Sequence, residues 1–126
     1  MRYQRLTMIL RRVLGATMAV VGLLKFVRPE FKVAADPTLT AFIDSGWLWQ
    51  LIGAAELLSG LALVSGQFVP LGLVVLTPVG AGILAFSIRF GGEELSVGVL
   101  VAAIHAFLLW QYQASYRPLL ERRLTP

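Results

Sequence analysis

Residues 47–65 read WLWQLIGAAELLSGLALVS. The run is apolar and long enough to cross a bilayer, which takes about 20 residues. It carries one ionisable group, Glu56, almost at its midpoint. A charge at that depth is strongly unfavourable against lipid, so it is expected to face the protein interior and to have a partner. Gly53 and Gly60 flank it at helical spacing, with Ala54, Ala55 and Ser59 close by. Small residues there let another helix approach closely and enclose the carboxylate. The identity of that partner is the main question the sequence poses.

The whole chain has the same character. Of its 126 residues 57% are hydrophobic and only 14% charged, and the mean hydropathy is +0.76. A soluble domain of this length needs more polar residues to cover its surface. The composition therefore predicts a membrane protein, and the length a single domain over residues 1–126. Cysteine is absent, which excludes disulfides, thiolate metal sites and thiol redox chemistry. The formal net charge is +4. Its arginines stand mainly at segment ends, where they orient helices and meet anionic lipid, so nucleic acid is not an expected partner. Arg11 and Arg12 before an apolar run, with Val33-Ala34-Ala35 after it, resemble a secretory signal. Lys25, Arg28, Pro29 and Lys32 between run and site argue against cleavage.

Working outward from residues 47–65, the pattern predicts an all-α integral membrane four-helix bundle. Met1 to Arg12 reads as a basic lead lying in the interface, with spans at about residues 10–27, 47–65, 68–89 and 95–112. The segment 29–46 between the first two is neither spanning nor plainly disordered. Asp36 before Pro37 reads as an N-cap, and Leu39, Phe42 and Ile43 form a small apolar face, so a short interfacial helix is expected there. Only Gly66 and Gln67 separate the second and third spans, which makes them an antiparallel hairpin. Pro78 removes a backbone donor at the centre of the third span and is expected to kink it. Thr77, Gly80, Ala81, Gly82 and Ser87 make that helix narrow and slightly polar. Gly91, Gly92, Glu93 and Glu94 read as the outer turn. Close-packing positions are expected at Gly15, Gly22, Gly53, Gly60, Gly80 and Gly98. Arg2, Arg5, Arg11, Arg12, Arg117, Arg122 and Arg123 are seven of the eleven Lys and Arg residues and fall on one side. That bias puts both termini in the cytoplasm and the chain in the cell (inner) membrane.

When each helix is registered by its midpoint, Glu56, His105 and the Thr77-Pro78 break fall near the membrane centre. Lys25 lies about 9 Å towards the outer side, at 1.5 Å per residue. The candidate polar core or ligand pocket is thus Lys25, Glu56, His105, Thr77 and Ser87. Three uses are open. Lys25 and Glu56 form a buried pair that sets helix register, with His105 a satisfied core residue. Alternatively Glu56 and His105 line a pocket for a quinone-like head group or relay protons. In the third, Lys25 snorkels to the outer interface and His105 faces a partner protein. A metal is not expected, because one His and one central Glu leave a first shell incomplete. No Ser–His–Asp arrangement fits, since the aspartates lie far in depth from His105.

The segments RRVLGATMAVVGLLKF (11–26), AAELLSGLALVSGQFVPLG (54–72), Thr77-Pro78 and YRPLL (116–120) resemble the DoxX-like (DoxX/DoxD) family of small four-helix membrane proteins. Gly22 with Lys25, and Glu56 with Gly60, are the most specific parts. The resemblance implies a four-helix bundle and a link to membrane redox chemistry, since DoxD relatives resemble a subunit of thiosulfate:quinone oxidoreductase. Relatives often carry an Asn and a His late in the third helix, where this chain has Gly82 and Ser87. The expected function is an accessory or scaffold subunit of a quinone-linked redox system, not an enzyme on its own. The alternatives are a quinone-binding oxidoreductase subunit and a membrane-protein assembly factor. The lipid bilayer, a membrane or peripheral protein or a second copy of the chain are the expected partners, and quinone is the only cofactor suggested.

Overall fold

The computed structural model describes residues 3–27, 41, 44 and 46–120. The backbone alone is described at Phe90, Gly92, Glu93, Glu94 and Leu120. Four helices account for most of it: α1 Gln4–Val27, α2 Trp47–Ser65, α3 Val69–Phe90 and α4 Gly92–Gln111. Two 3-10 turns follow, Gln113–Ser115 and Arg117–Leu120. Among the described residues there is no strand. The interfacial helix expected within residues 29–46 lies outside the described residues.

Three of the helices, Gln4–Val27, Trp47–Ser65 and Val69–Arg89, are long and apolar enough to cross a membrane. The apolar part of α4 is shorter, Leu95–Gln111, about 25 Å at 1.5 Å per residue. Each helix presents large apolar side chains outward, such as Val20, Leu58, Leu71 and Leu100. A soluble bundle would turn polar residues to that face. Their solvent is lipid, and the chain is an all-α membrane helical bundle.

The helices neighbour one another in ring order. α1 packs on α2, α2 on α3 and α3 on α4, and α4 closes more thinly against α1. α2 and α4 make no substantial contact, so they lie diagonally across the bundle. Leu14, Met18, Leu63, Leu73, Leu76 and Leu108 fill the centre.

The α1–α2 contact is set by glycine. A Cβ on Gly22 would lie 2.6 Å from the Gly53 carbonyl and from the Leu57 nitrogen, and one on Gly15 would lie 2.8 Å from the Gly60 carbonyl. Backbone meets backbone at both levels, which no larger residue permits. Gly15 opposite Gly60 and Gly22 opposite Gly53 also show that the pair is antiparallel and fix its register.

Two boundaries differ from the sequence reading. The basic lead is not a separate interfacial segment, because α1 is helical from Gln4. No Gly or Pro interrupts residues 3–14, and Leu, Arg, Gln and Met are good helix formers. α4 starts at Gly92, with Gly91 alone as the turn at φ 64°. Residues 92–94 thereby belong to its first turn rather than to a loop. Between α2 and α3 the chain reverses over Gly66, Gln67 and Phe68. Gly66 takes the left-handed conformation at φ 79° and its N–H donates to the Ala62 carbonyl at 3.1 Å.

Candidate functional site

The centre of the site is the ion pair of α1 and α2. Lys25 Nζ donates to Glu56 Oε2 at 2.8 Å, and the two residues are 8% and 2% exposed. With Gly22 opposite Gly53, the Lys25 backbone stands level with residue 50, six residues from Glu56. That is a separation of about 9 Å along the axis. Helix side chains incline towards their own N-terminus. In an antiparallel pair Lys25 and Glu56 therefore lean towards each other, and the long lysine stem closes the remainder. Gly22 and Gly53 make room: the Cβ of Glu56 lies 3.1 Å from where a Gly22 Cβ would stand, and that of Lys25 3.0 Å from a Gly53 Cβ.

Trp49 completes this group. Lys25 Nζ stands 4.9 Å from the centre of its ring, close enough for the π-face to attract the ammonium. The Trp49 Nε1 is enclosed and has no hydrogen-bond partner. Trp47 and Trp49 both stand at the start of α2, where amphipathic rings suit the headgroup level, yet only Trp47 is fully on the outside. The missed signal was register, since Trp49 falls beside Phe26 once Gly22 and Gly53 are aligned.

His105 belongs to a different contact. It is 6% exposed, and its Nε2 lies 3.0 Å from the Leu73 carbonyl of α3. A carbonyl only accepts, so Nε2 carries the proton. Gly80 gives the ring its space, with a Cβ there falling 3.0 Å from Nδ1. Thr77 Oγ1 donates to the same Leu73 carbonyl at 2.8 Å. Because α2 and α4 are diagonal, no hydrogen bond or ion pair joins Glu56 to His105 among the described residues.

Thr77 and Ser87 stand apart from the Lys25–Glu56 pair. Thr77 is exposed, like Ala81 and Gly82, because that face of α3 points away from the other helices. Ser87 is buried, but its hydroxyl donates back to the Ile83 carbonyl at 2.7 Å. It packs against Gly98, where any Cβ would collide with its side chain. That contact brings α3 and α4 together and contributes no free polar group.

Two further features escaped the sequence reading. Between α2 and α3, Leu58, Ser59, Ala62, Phe68, Leu71, Gly72 and Val75 line an outward groove of about 290 Å³. Ser59 is 2% exposed there and its Oγ has no partner. At the Gly66 end of the bundle, Thr7, Arg11, Tyr112 and Tyr116 form a second polar group. Tyr116 donates to the Pro70 carbonyl at 2.8 Å. Partial burial and the neighbouring Tyr112 hold its phenol above the ordinary range. Among the described residues no three His, Cys, Asp or Glu side chains gather as metal ligands.

Comparison with known proteins adds one finding. No curated protein and no solved structure matches the chain. The family model described as DoxX matches residues 6–89. The matched region runs from Leu6 of α1 through α2 to Arg89 of α3 and includes Gly22, Lys25, Glu56 and Gly60; His105 lies beyond it. By this match over more than half of its length, the chain belongs to the DoxX family.

Proposed function

We propose that the chain is a non-catalytic accessory or scaffold subunit of a quinone-linked membrane redox system. Its place is the cell (inner) membrane, with both termini cytoplasmic. The Lys25–Glu56 pair carries this reading. Each charge is taken up by the other at 2.8 Å, beneath Trp49, and the imidazole of His105 is engaged with a backbone carbonyl elsewhere. A pair closed in this way fixes the register of α1 on α2 and, among the described residues, leaves no free acid or base beside it. The redox link comes from the resemblance of DoxD relatives to a subunit of thiosulfate:quinone oxidoreductase.

The second reading is a quinone-binding subunit, favoured by the apolar groove between α2 and α3 with the unpartnered Ser59 hydroxyl at its wall. Native mass spectrometry of the protein, purified gently from its own membrane, separates the two. A stoichiometric complex with a subunit bearing a redox cofactor, and no quinone on this chain, is the expected result. A quinone retained by the isolated chain, and lost on Ser59→Leu, would replace the first reading by the second.

A further inference from the structure

The polar group at the Gly66 end of the bundle is separate from both the ion pair and His105. Thr7 and Arg11 stand one turn apart on α1. Thr7 is 2% exposed, yet its Oγ1 has no hydrogen-bond partner, and the Nε of Arg11 is likewise enclosed without one. Buried donors of this kind are rarely left unsatisfied. One terminal nitrogen of Arg11 donates to Tyr112 Oη at 3.5 Å, at the outer limit of a hydrogen bond. Among the described residues no carboxylate pairs with Arg11.

Depth identifies what such a group meets. The guanidinium lies against the α2–α3 turn, with both terminal nitrogens 3.3 Å from where a Gly66 Cβ would be. The turn leaves helical geometry, so it has to reach the headgroup layer, where its backbone groups find partners. Arg11 is packed at the same level. α1 runs on past it to Gln4, about 10 Å further.

We propose that Arg11, with Thr7 and Tyr112, forms a binding site for the phosphate of an anionic phospholipid. The chemistry is complementary. A guanidinium takes two phosphate oxygens at once, and the Thr7 hydroxyl adds a donor. Tyr112 accepts from Arg11 and keeps its own proton to give. The site is set at the level where lipid phosphates lie.

The test is native mass spectrometry of the protein released from vesicles of equal phosphatidylcholine and phosphatidylglycerol. Arg11→Gln, Arg12→Gln and Thr7→Val are compared with the unchanged chain. The expected result is preferential retention of one phosphatidylglycerol, weakened about fivefold in Arg11→Gln. Arg12→Gln, which loses the same charge from an exposed position, keeps it. Thr7→Val preserves shape and removes only the hydroxyl, so it lowers retention while thermal stability holds. If Arg11→Gln does not fold, Arg11→Lys keeps the charge, loses the fork, and still shows reduced retention. Equal retention of the two lipids, or equal losses in Arg11→Gln and Arg12→Gln, would overturn the site. Stabilisation of the detergent-solubilised protein by inorganic phosphate as strong as by short-chain phosphatidylglycerol would overturn the assignment to lipid.

Discussion

Lys25 and Glu56 meet at 2.8 Å although their backbones stand six residues apart in the register of α1 on α2. The contact exists because antiparallel helices incline their side chains towards each other and because glycine brings the backbones together. Removing either partner leaves the other charge enclosed and unpaired. Lys25→Met or Glu56→Leu alone is expected to destabilise by about 3–5 kcal/mol, and the double variant to recover much of that loss. A double-mutant cycle in thermal unfolding, in one detergent, measures the coupling. Additive single effects would show that the pair does not hold α1 to α2.

Trp49 is expected to stabilise the same ammonium. Trp49→Leu removes the ring face and should cost about 1–2 kcal/mol, while Trp49→Phe retains part of it. In a Lys25→Met background the ring has no cation above it. Loss of the tryptophan should then cost clearly less, and an undiminished effect would assign Trp49 to packing alone.

The glycines divide by what surrounds them. Gly60→Ala drives a methyl into the backbone of Ala19 and Gly15, and overpacking of this kind costs about 1–3 kcal/mol. Gly82 has nothing within 4 Å of its Cβ position. Gly82→Ala is therefore expected to be neutral or to stabilise α3 by up to about 1 kcal/mol. Unfolding midpoints of the two variants should fall on opposite sides of the unchanged protein or close to that pattern. A midpoint for Gly60→Ala equal to that of Gly82→Ala would contradict the close α1–α2 approach.

His105 anchors α4 to the Leu73 carbonyl of α3. His105→Leu should lose about 0.5–1.5 kcal/mol, the net worth of an ordinary buried hydrogen bond. His105→Gln, able to donate from its amide, should restore part of it. Complementation by His105→Leu in a strain lacking the protein tests for a chemical role, and loss of function in a folded variant would establish one.

Topology follows from the Lys and Arg distribution. Reporter fusions at Gln67 and at Pro126 are expected to lie on the same, cytoplasmic, side. Reporters on opposite sides would mean that α4, whose apolar part is the shortest of the four, does not cross.

By itself the sequence determined the helices and their environment. Apolar runs of bilayer length, a buried Glu56 between Gly53 and Gly60, and the Gly66-Gln67 reversal are local signals, and each can be read without knowing a neighbour. It also narrowed the partner of Glu56 to a few residues at similar depth. Tertiary structure decided among them. Whether Glu56 meets Lys25 or His105 depends on which helices are adjacent and how each is rotated, and the ring order leaves α2 and α4 diagonal. The same rotation turned Thr77 outward, brought Trp49 over Lys25, and enclosed Thr7 beside Arg11. Depth along a helix is a count of residues, legible in one chain. Azimuth around it is settled only when backbones touch, and here they touch through glycine.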